Sequence, residues 1–549
     1  MGALAVATVF GPAPAVAAAG TTLRIPFPRS PGTLTPLTFT LGYPLLTLVY
    51  DTVTWRDARG VPRPWLARSV RTSDDGRRVV VRLRGGLRWH DGRALTARDV
   101  AFTYAFMRAR RHPRFAPELR AVVSVRARDR RTVEFRLRHR SIGFADQPLA
   151  DVPILPEHIW RGLGPGLRAP GGAPIGSGPF RVADLRPDGG VGLVAVRDYF
   201  RGRPRVDRID VPIVSDPRET LAALRRGSVD MLPVPLAPAQ QESVESFSVR
   251  IARGPSYSGT MLMFNVREPP FDRAPVRRAI AAALDRRRIA RALGSQTPAT
   301  TGFLHPRSRW APRARVLTPP GPGRPLAALG LPKVRVLAPT DDPVRLEAGR
   351  QVVLALRRAG AAARLVALPR ARAGRAVGEG DAVPSFDVAI SSIPALASHD
   401  PDFLATLFRA RANGGVLNRS GYRSPAFDRL TDRVAAAPSS PARRRAVAAL
   451  LDRLSRDAPA VPLFFGDGAF AYRSAPRVGW TFVAGSGIFD KQSFLRSPPN
   501  RGGSRAQSDL PLFSDDDHAL SASAVLGAGA LVLVVLLGGA VALRRRGRA

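Results

Sequence analysis

Apolar and polar positions alternate over two short stretches of the chain. Val79, Val81 and Leu83 alternate with Val80, Arg82 and Arg84, and Val133, Phe135 and Leu137 alternate with Glu134, Arg136 and Arg138. A period of two predicts strands with one buried and one wet face. Elsewhere the apolar positions recur at helical spacing behind marked starts. Thr96 and Asp99 precede the stripe Val100, Tyr104 and Met107, while Asp216, Pro217 and Glu219 form a capping-box start for a helix that stops near Gly227. Ser440-Pro441 opens a helix with Val447, Leu450, Leu451 and Leu454 on one face, and Asp272 to Gly294 is expected as another, with Val276, Ile280 and Leu284 inward. The stretches 316–324 and 371–384 read as loops, and no internal repeat or heptad series is present. Strands alternating with helices predict an α/β body.

The two ends carry a different pattern. Residues 1–20 are Ala-, Val- and Leu-rich with a small-residue finish at Ala15-Val16-Ala17-Ala18-Ala19, which reads as a secretory signal lacking its basic leading stretch. Ala522 to Leu543 contains no charge, long enough at ~1.5 Å per residue to cross ~30 Å of hydrocarbon. Arg544, Arg545, Arg546 and Arg548 follow it and Asp515, Asp516 and Asp517 precede it, so the body is expected outside the membrane and the tail 544–549 inside. Residues 498–521, rich in Pro, Gly, Ser and Asp, read as a flexible stalk.

Composition narrows the chemistry. The 549 residues include no cysteine, which excludes a disulfide scaffold, a Cys-ligated zinc site, a thiol nucleophile and an N-terminal lipid-bearing Cys. The formal charge is +41, but lysine occurs only at 333 and 491, so the basic residues are almost all arginine. They are scattered over strands and helices without interleaved stacking aromatics, which argues for solvated faces and against nucleic acid. Catalytic motifs fail in turn. Gly254-Pro255-Ser256-Tyr257-Ser258-Gly259 has the wrong spacing for a nucleophile elbow, Glu157-His158 lacks the second His of a metalloprotease helix, and Gly176-Ser177-Gly178 has no following Lys-Ser/Thr. The seven histidines never share ligand spacing, so no metal, cofactor or catalytic residue is expected.

Several segments, read in order, carry a more specific signal. Leu83-Arg84-Gly85-Gly86-Leu87-Arg88-Trp89-His90-Asp91-Gly92 runs into Thr96-Ala97-Arg98-Asp99-Val100. Pro153-Ile154-Leu155-Pro156-Glu157-His158 is followed by Pro174-Ile175-Gly176-Ser177-Gly178-Pro179-Phe180, and later by Phe264-Asn265-Val266, Asp400-Pro401-Asp402-Phe403-Leu404 and Ala458-Pro459-Ala460-Val461-Pro462-Leu463. From about Thr22 to Ser497 this order resembles the family 5 solute-binding proteins of ABC importers, the peptide- and oligopeptide-binding type. The resemblance implies an α/β, bilobal periplasmic-binding-protein type II clamp with an extra domain in the first lobe, followed here by one C-terminal transmembrane helix. It divides the chain into a first lobe (21–45, 172–252 and 480–497), an extra domain (46–171) and a second lobe (253–479). It implies a monomeric receptor that encloses a peptide or other small solute between its lobes and delivers it to ABC permease subunits. A sugar, metal-chelate or opine-like ligand is the alternative, and a scaffold or sensor that has lost transport, or an exported hydrolase, are others.

For the site, the resemblance points to Ile393 to Ala397 as the edge that meets a ligand backbone as an added strand, with Ser391 and Ser392 as neutral donors beside it. Peptide binders of the family hold the ligand ammonium with an Asp just upstream of the Asp-Pro motif, and that position is Ala397 in this chain. Asp400 and Asp402 are candidate substitutes, although an Asp before Pro commonly caps a helix, and His399 is a candidate hydrogen-bond partner of the ligand. Asn265 lies in the family's asparagine strand, and Tyr43, Tyr50, Tyr257 and Trp480 can pack on a ligand while offering a polar tip. Family members in single-membrane bacteria are usually lipoproteins, and the C-terminal helix is expected to replace that anchor.

Overall fold

The computed structural model describes residues 21–495 apart from 38–42, 111, 113, 145–146, 164–170, 237, 245–247, 295, 314–325, 380–381 and 474–477. The export segment 1–20, the stalk 498–521, the span 522–543, the tail 544–549 and the loop 316–324 lie outside the described residues. Among the described residues no helix is long and apolar enough to cross a membrane.

Three larger sheets organise the chain. The first is ordered Thr22–Arg24, Arg208–Val211, Val191–Ala195, Phe180–Leu185, with the first pair parallel and the rest antiparallel. The second is an antiparallel sheet ordered Ala67–Thr72, Arg78–Leu83, Thr132–Leu137, Val122–Ala127. Val79, Val81 and Leu83 are buried while Arg78 and Arg82 face solvent, so the two-residue period sets the faces of this sheet. Glu134 departs from the pattern: it is buried under Arg128 (2.7 Å) and Arg136 (3.2 Å). The helix Ala97–Ala109 packs on this sheet and starts at a reciprocal Thr96–Asp99 capping box. One continuous hydrophobic cluster joins Leu23, Phe180 and Ile209 to Val81, Tyr104 and Phe135, so the extra domain shares its core with the first lobe.

The third sheet has six strands, ordered Thr297–Pro298, Ala460–Arg473, Val249–Phe264, Val388–Ile393, Val334–Pro339, Ala363–Leu368. The last three run parallel, and the helix Pro343–Arg358 connects Val334–Pro339 to Ala363–Leu368. Successive residues alternate between its faces. Met261, Met263, Ala389 and Ile393 enter one cluster, and Leu262, Phe264, Val388 and Ile390 enter the other.

The long strands Val249–Phe264 and Ala460–Arg473 form the connection between lobes. They pair from Val249↔Arg473 to Pro255↔Asp467 and resume at Gly259↔Phe465. Ala252, Phe470 and Tyr472 pack on the first-lobe core, whereas Met261 and Phe465 belong to the second lobe. The interruption falls at 256–258, where Tyr257 takes a left-handed backbone (φ 61°), a conformation costly for a side chain that bulky.

Two expectations are corrected. The helix predicted over Asp272 to Gly294 is two, Ala274–Ala283 and Arg286–Ala292, because Asp285 leaves helical geometry and caps the second by accepting from the amides of Arg287 and Arg288. The stretch 371–384 holds a helix, Arg370–Ala376, whose Ala373 and Gly374 are buried. Gly176 and Gly178 are needed for close approach and not for unusual dihedrals: a Cβ at either would overlap the backbone carbonyl of Val49 or Leu48.

Candidate functional site

The carboxyl end of Val388–Ile393 opens toward the first lobe, the usual place for a ligand in an open α/β sheet. The chain there turns into a short helix, Ala395–His399. Ile393 and Ala397 are both fully buried. The edge expected at 393–397 is therefore neither extended nor open, and this overturns the added-strand position assigned to it. Pro394 ends the strand because it supplies no N–H to continue the ladder. Ser391 and Ser392 sit half-buried within the strand, opposite Met261 and Thr260.

Beyond this helix the lobes meet along a seam with two parts. At the hinge, the Tyr257 ring lies 5.0 Å from that of His305 and 5.1 Å from that of His399. Tyr257 Oη donates to the carbonyl of Arg307 at 3.2 Å. The turn at 305–308 grips the short helix: the His305 amide donates to Ser398 Oγ at 2.9 Å, and Ser308 Oγ donates to the Ser398 carbonyl at 2.6 Å. His399 is thereby pressed against Gly60 and Gly485 of the opposite lobe, where a Cβ at Gly485 would overlap its ring. Burial, reinforced by Arg56 and Arg309, holds the His399 imidazole well below its ordinary pKa, and burial with Arg307 lowers His305 to about 4. Both rings are neutral at pH 7.

The second part is charged. Arg443, fully buried, contacts Asp400 Oδ1 at 2.5 Å and Asp402 Oδ1 at 3.0 Å. Asp400 Oδ1 also accepts from the Asp402 amide at 3.1 Å, so this Asp caps its own turn and is committed to Arg443. From the extra domain, Ile142 enters the second-lobe core, and a Cβ on neighbouring Gly143 would lie 2.5 Å from Arg443 Nη1 and 2.8 Å from Asp400 Oδ2. Arg120 and Arg140 donate across the seam to the carbonyls of Gly414 (2.6 Å) and Pro438 (2.5 Å).

The other candidate residues disperse. Tyr50 is a core residue, 1% exposed, and that burial removes it from any ligand face. Asn265 lies beyond the far end of the crossing strand, where its amide bonds Asp387 and its Oδ1 accepts from Arg267 at 3.2 Å; the strand carries it away from the seam. Trp480 packs between Tyr472 and Phe494 at the first-lobe core. Tyr43 donates to the Asp151 carbonyl under the Arg114 guanidinium, 4.3 Å from its ring. The structure brings together Tyr257, His399 and Asp400, and adds Arg56, Gly143, His305 and Arg443, which sequence motifs had not singled out. Arg443 did leave a signal: it stands four residues before Val447 on the buried stripe of its helix.

Residues 61–415 match the family described as bacterial extracellular solute-binding proteins, family 5. The chain belongs to this family. Among curated relatives of this family 5 chain, a protein of Brucella ovis named as an ABC transporter peptide-binding protein is 31% identical over 246 residues, covering 44% of the chain and 46% of the relative. The oligopeptide-binding protein AppA of Bacillus subtilis is 28% identical over 248 residues, 44% of the chain and 45% of the relative. The match thus spans about half the length of these relatives. The fold of this family 5 protein is that of AppA in complex with a nonapeptide (TM-score 0.72, 19% identity, 87% of this chain and 99% of that one). It is also that of NikZ from Campylobacter jejuni in complex with Ni(L-His) (TM-score 0.70, 20% identity, 82% and 94%). An α/β bilobal architecture is common to all three.

Proposed function

We propose that this family 5 chain is an extracytoplasmic receptor that encloses a peptide or peptide-like solute between its lobes and delivers it to an ABC importer permease. The observation that carries this reading is the pair of crossing strands with its interruption at 256–258, beside a seam that buries polar side chains from both lobes. Such a connection lets two rigid lobes rotate about a short segment while a solute is shielded from water, where each hydrogen bond counts for more. The names of its relatives, which bind peptides, support the solute class. The reading assigns the chain no catalysis. Residues 522–543 hold the body to the outer face of the membrane, and the stalk keeps it near the permease at high local concentration. A chain cut before Ala522 should leave the membrane fraction in a high-salt wash, and its retention would sink the anchor.

A second reading, a non-peptide solute, is favoured by one observation: the helical, buried 393–399 segment with Ala397 in place of an acid offers no free strand edge for a peptide backbone. Thermal unfolding of the full chain against short peptides, oligosaccharides and metal chelates tests both readings. A solute at 100 times its dissociation constant adds about 2.7 kcal/mol. Stabilisation by peptides supports the first reading and by chelates or sugars alone the second; no shift with any class removes both.

A further inference from the structure

A groove of about 880 Å³ lies on the second lobe, and its wall residues all fall within 266–277 or 410–457, so it is not the space between the lobes. Five arginines line it against two aspartates. Two of the five are engaged within the lobe. Arg453 Nε donates to Asp457 Oδ2 at 2.7 Å, and the buried Arg277 donates to the carbonyls of Phe271 and Asp272, each at 2.7 Å, and to those of Asp457 and Ala458. The other three, Arg267, Arg411 and Arg423, stand near enough to repel. Partial burial, then Arg411 and Arg423, hold the Arg267 guanidinium below its ordinary pKa, and Glu268 offsets this only in part. We propose that this groove is the docking site of the chain's own acidic segment, Asp509 to Asp517.

Charge and apolar surface together lead there. Arg267 donates to Asn265 Oδ1 at 3.2 Å and to the Arg419 carbonyl at 3.0 Å, and neither it nor Arg423 makes an ion pair among the described residues. Arg335 and Arg186, on other faces, each meet an aspartate at 2.6 Å. The loop 410–418, which supplies one wall, also exposes Val416 and Leu417, each by 39%. The groove thus sets guanidinium groups beside apolar surface. Asp509-Leu510-Pro511-Leu512-Phe513-Ser514-Asp515-Asp516-Asp517 carries the complement, with the only run of three acids in the sequence just behind Leu512 and Phe513. Carboxylates match the guanidinium fork, and the two apolar residues suit the exposed pair. Reach is ample. Leu495 packs with Trp55, Trp65 and Tyr199, and 20 residues lead from it to Asp515. At ~3.3 Å per residue they span up to ~66 Å, against a radius of gyration of about 23 Å for a body of this length. The tether gives a local concentration on the order of millimolar, enough for a contact that a separate peptide would make only weakly. A membrane surface offers similar charge but no segment that can enter a recess. This docking goes beyond the receptor reading and does not depend on it.

The chain has no cysteine, so a pair of thiols can report the contact. The full chain in neutral detergent carries Ser514→Cys with either Ala412→Cys, on the exposed groove wall, or Leu185→Cys, exposed on the first lobe. Disulfide formation under mild oxidation is timed at low salt and in about 1 M potassium chloride. The 412 pair should close about 10-fold faster than the 185 pair, at a rate independent of protein concentration, and high salt should slow it about 10-fold. Asp515→Asn, Asp516→Asn and Asp517→Asn together, or Arg267→Gln with Arg423→Gln, should slow it as much as salt does. Thermal unfolding checks each variant, and the aspartate set decides alone if the arginine pair fails to fold. Equal rates for the two thiol pairs, or a 412 rate that the aspartate set leaves unmoved, overturns the proposal. A rate that rises with protein concentration assigns the segment to a second copy and overturns the internal contact. Phosphatidylglycerol vesicles that shield the 412 thiol from maleimide equally with and without the three aspartates assign the groove to a membrane surface, which also overturns it.

Discussion

Two carboxyl groups on the first-lobe side, the fully buried Asp51 and the half-buried Glu118, meet opposite surroundings. Asp51 Oδ1 accepts from Lys491 Nζ (2.8 Å), Trp65 Nε1 (2.8 Å) and Tyr199 Oη (2.9 Å), and Oδ2 lies 3.4 Å from Ser177 Oγ. Lys491 in turn stands over Trp55 (4.3 Å) and Trp65 (5.0 Å). These partners come from the start of the extra domain, the 174–180 turn, the turn at Tyr199 and the C-terminal return, so one ion pair ties four chain segments together. Glu118 has one donor, Gln147, and faces the like-charged Asp151 carboxyl beside a cavity at the seam. The contrast separates two uses of a buried charge. Completed within one rigid unit, it fixes an assembly; left incomplete where two units meet, it makes their union depend on what else is present.

Breaking the completed centre should have the largest effect. Lys491→Met leaves Asp51 buried without its cation and should cost about 3–5 kcal/mol, read as a lower urea midpoint with altered emission from Trp55 and Trp65. An unchanged midpoint would erase the contrast. Lowering the pH probes both regions together, since His90 and His112 in the extra domain and His305 at the hinge are held at about 4 by burial. Each is neutral when folded and titrates near 6.5 when unfolded, so stability is full above about pH 6.5 and falls toward pH 4. Between pH 7 and 5.5 the loss should be about 1 kcal/mol per histidine, measurable by urea melts at the two pH values. Gly143→Ala sharpens the seam side. Its Cβ would stand 2.5 Å from Arg443 Nη1, so the extra domain should part from the second lobe, with a larger radius of gyration by solution scattering. Fold and first-lobe stability should hold. Smallest is Thr96→Ala, which removes a capping box remote from both centres and should cost about 1 kcal/mol without moving ligand affinity.

Much of the frame was legible because it depends on local rules. The strand Arg78–Leu83 and the helices behind Thr96 and Asp216 follow from alternation and capping read over a few residues, and the helix read as opening at Ser440-Pro441 is capped one residue earlier, by Ser439. The long helix over 272–294 misled because its stripe is continuous in sequence, while Asp285 prefers to bond the amides after it. The site was less legible for a different reason. Tyr50 and Trp480 look like ligand-facing residues in sequence, yet packing decides their place: Tyr50 enters the first-lobe core and Trp480 lies between Tyr472 and Phe494. Glu118 and Gln147 carry no periodicity at all, and only the folded chain places them on the wall of one cavity with Asp402 and Phe403. Arg443 was the exception, a charge standing on an apolar stripe, and such a misfit is the kind of signal that sequence alone can offer.

The two crossing strands are bonded to each other over most of their length, with a break at 256–258 and a register shift between Thr260 and Met261. A ribbon of that kind resists stretching and in-plane sliding but yields to twist, as a torsion bar does. If the lobes part as the proposed receptor requires, opening would wind the bar, and the stiffness at 256–258 would set how far thermal motion carries them apart. Substitutions there would tune the tempo of capture and release, while the grip itself would be set elsewhere.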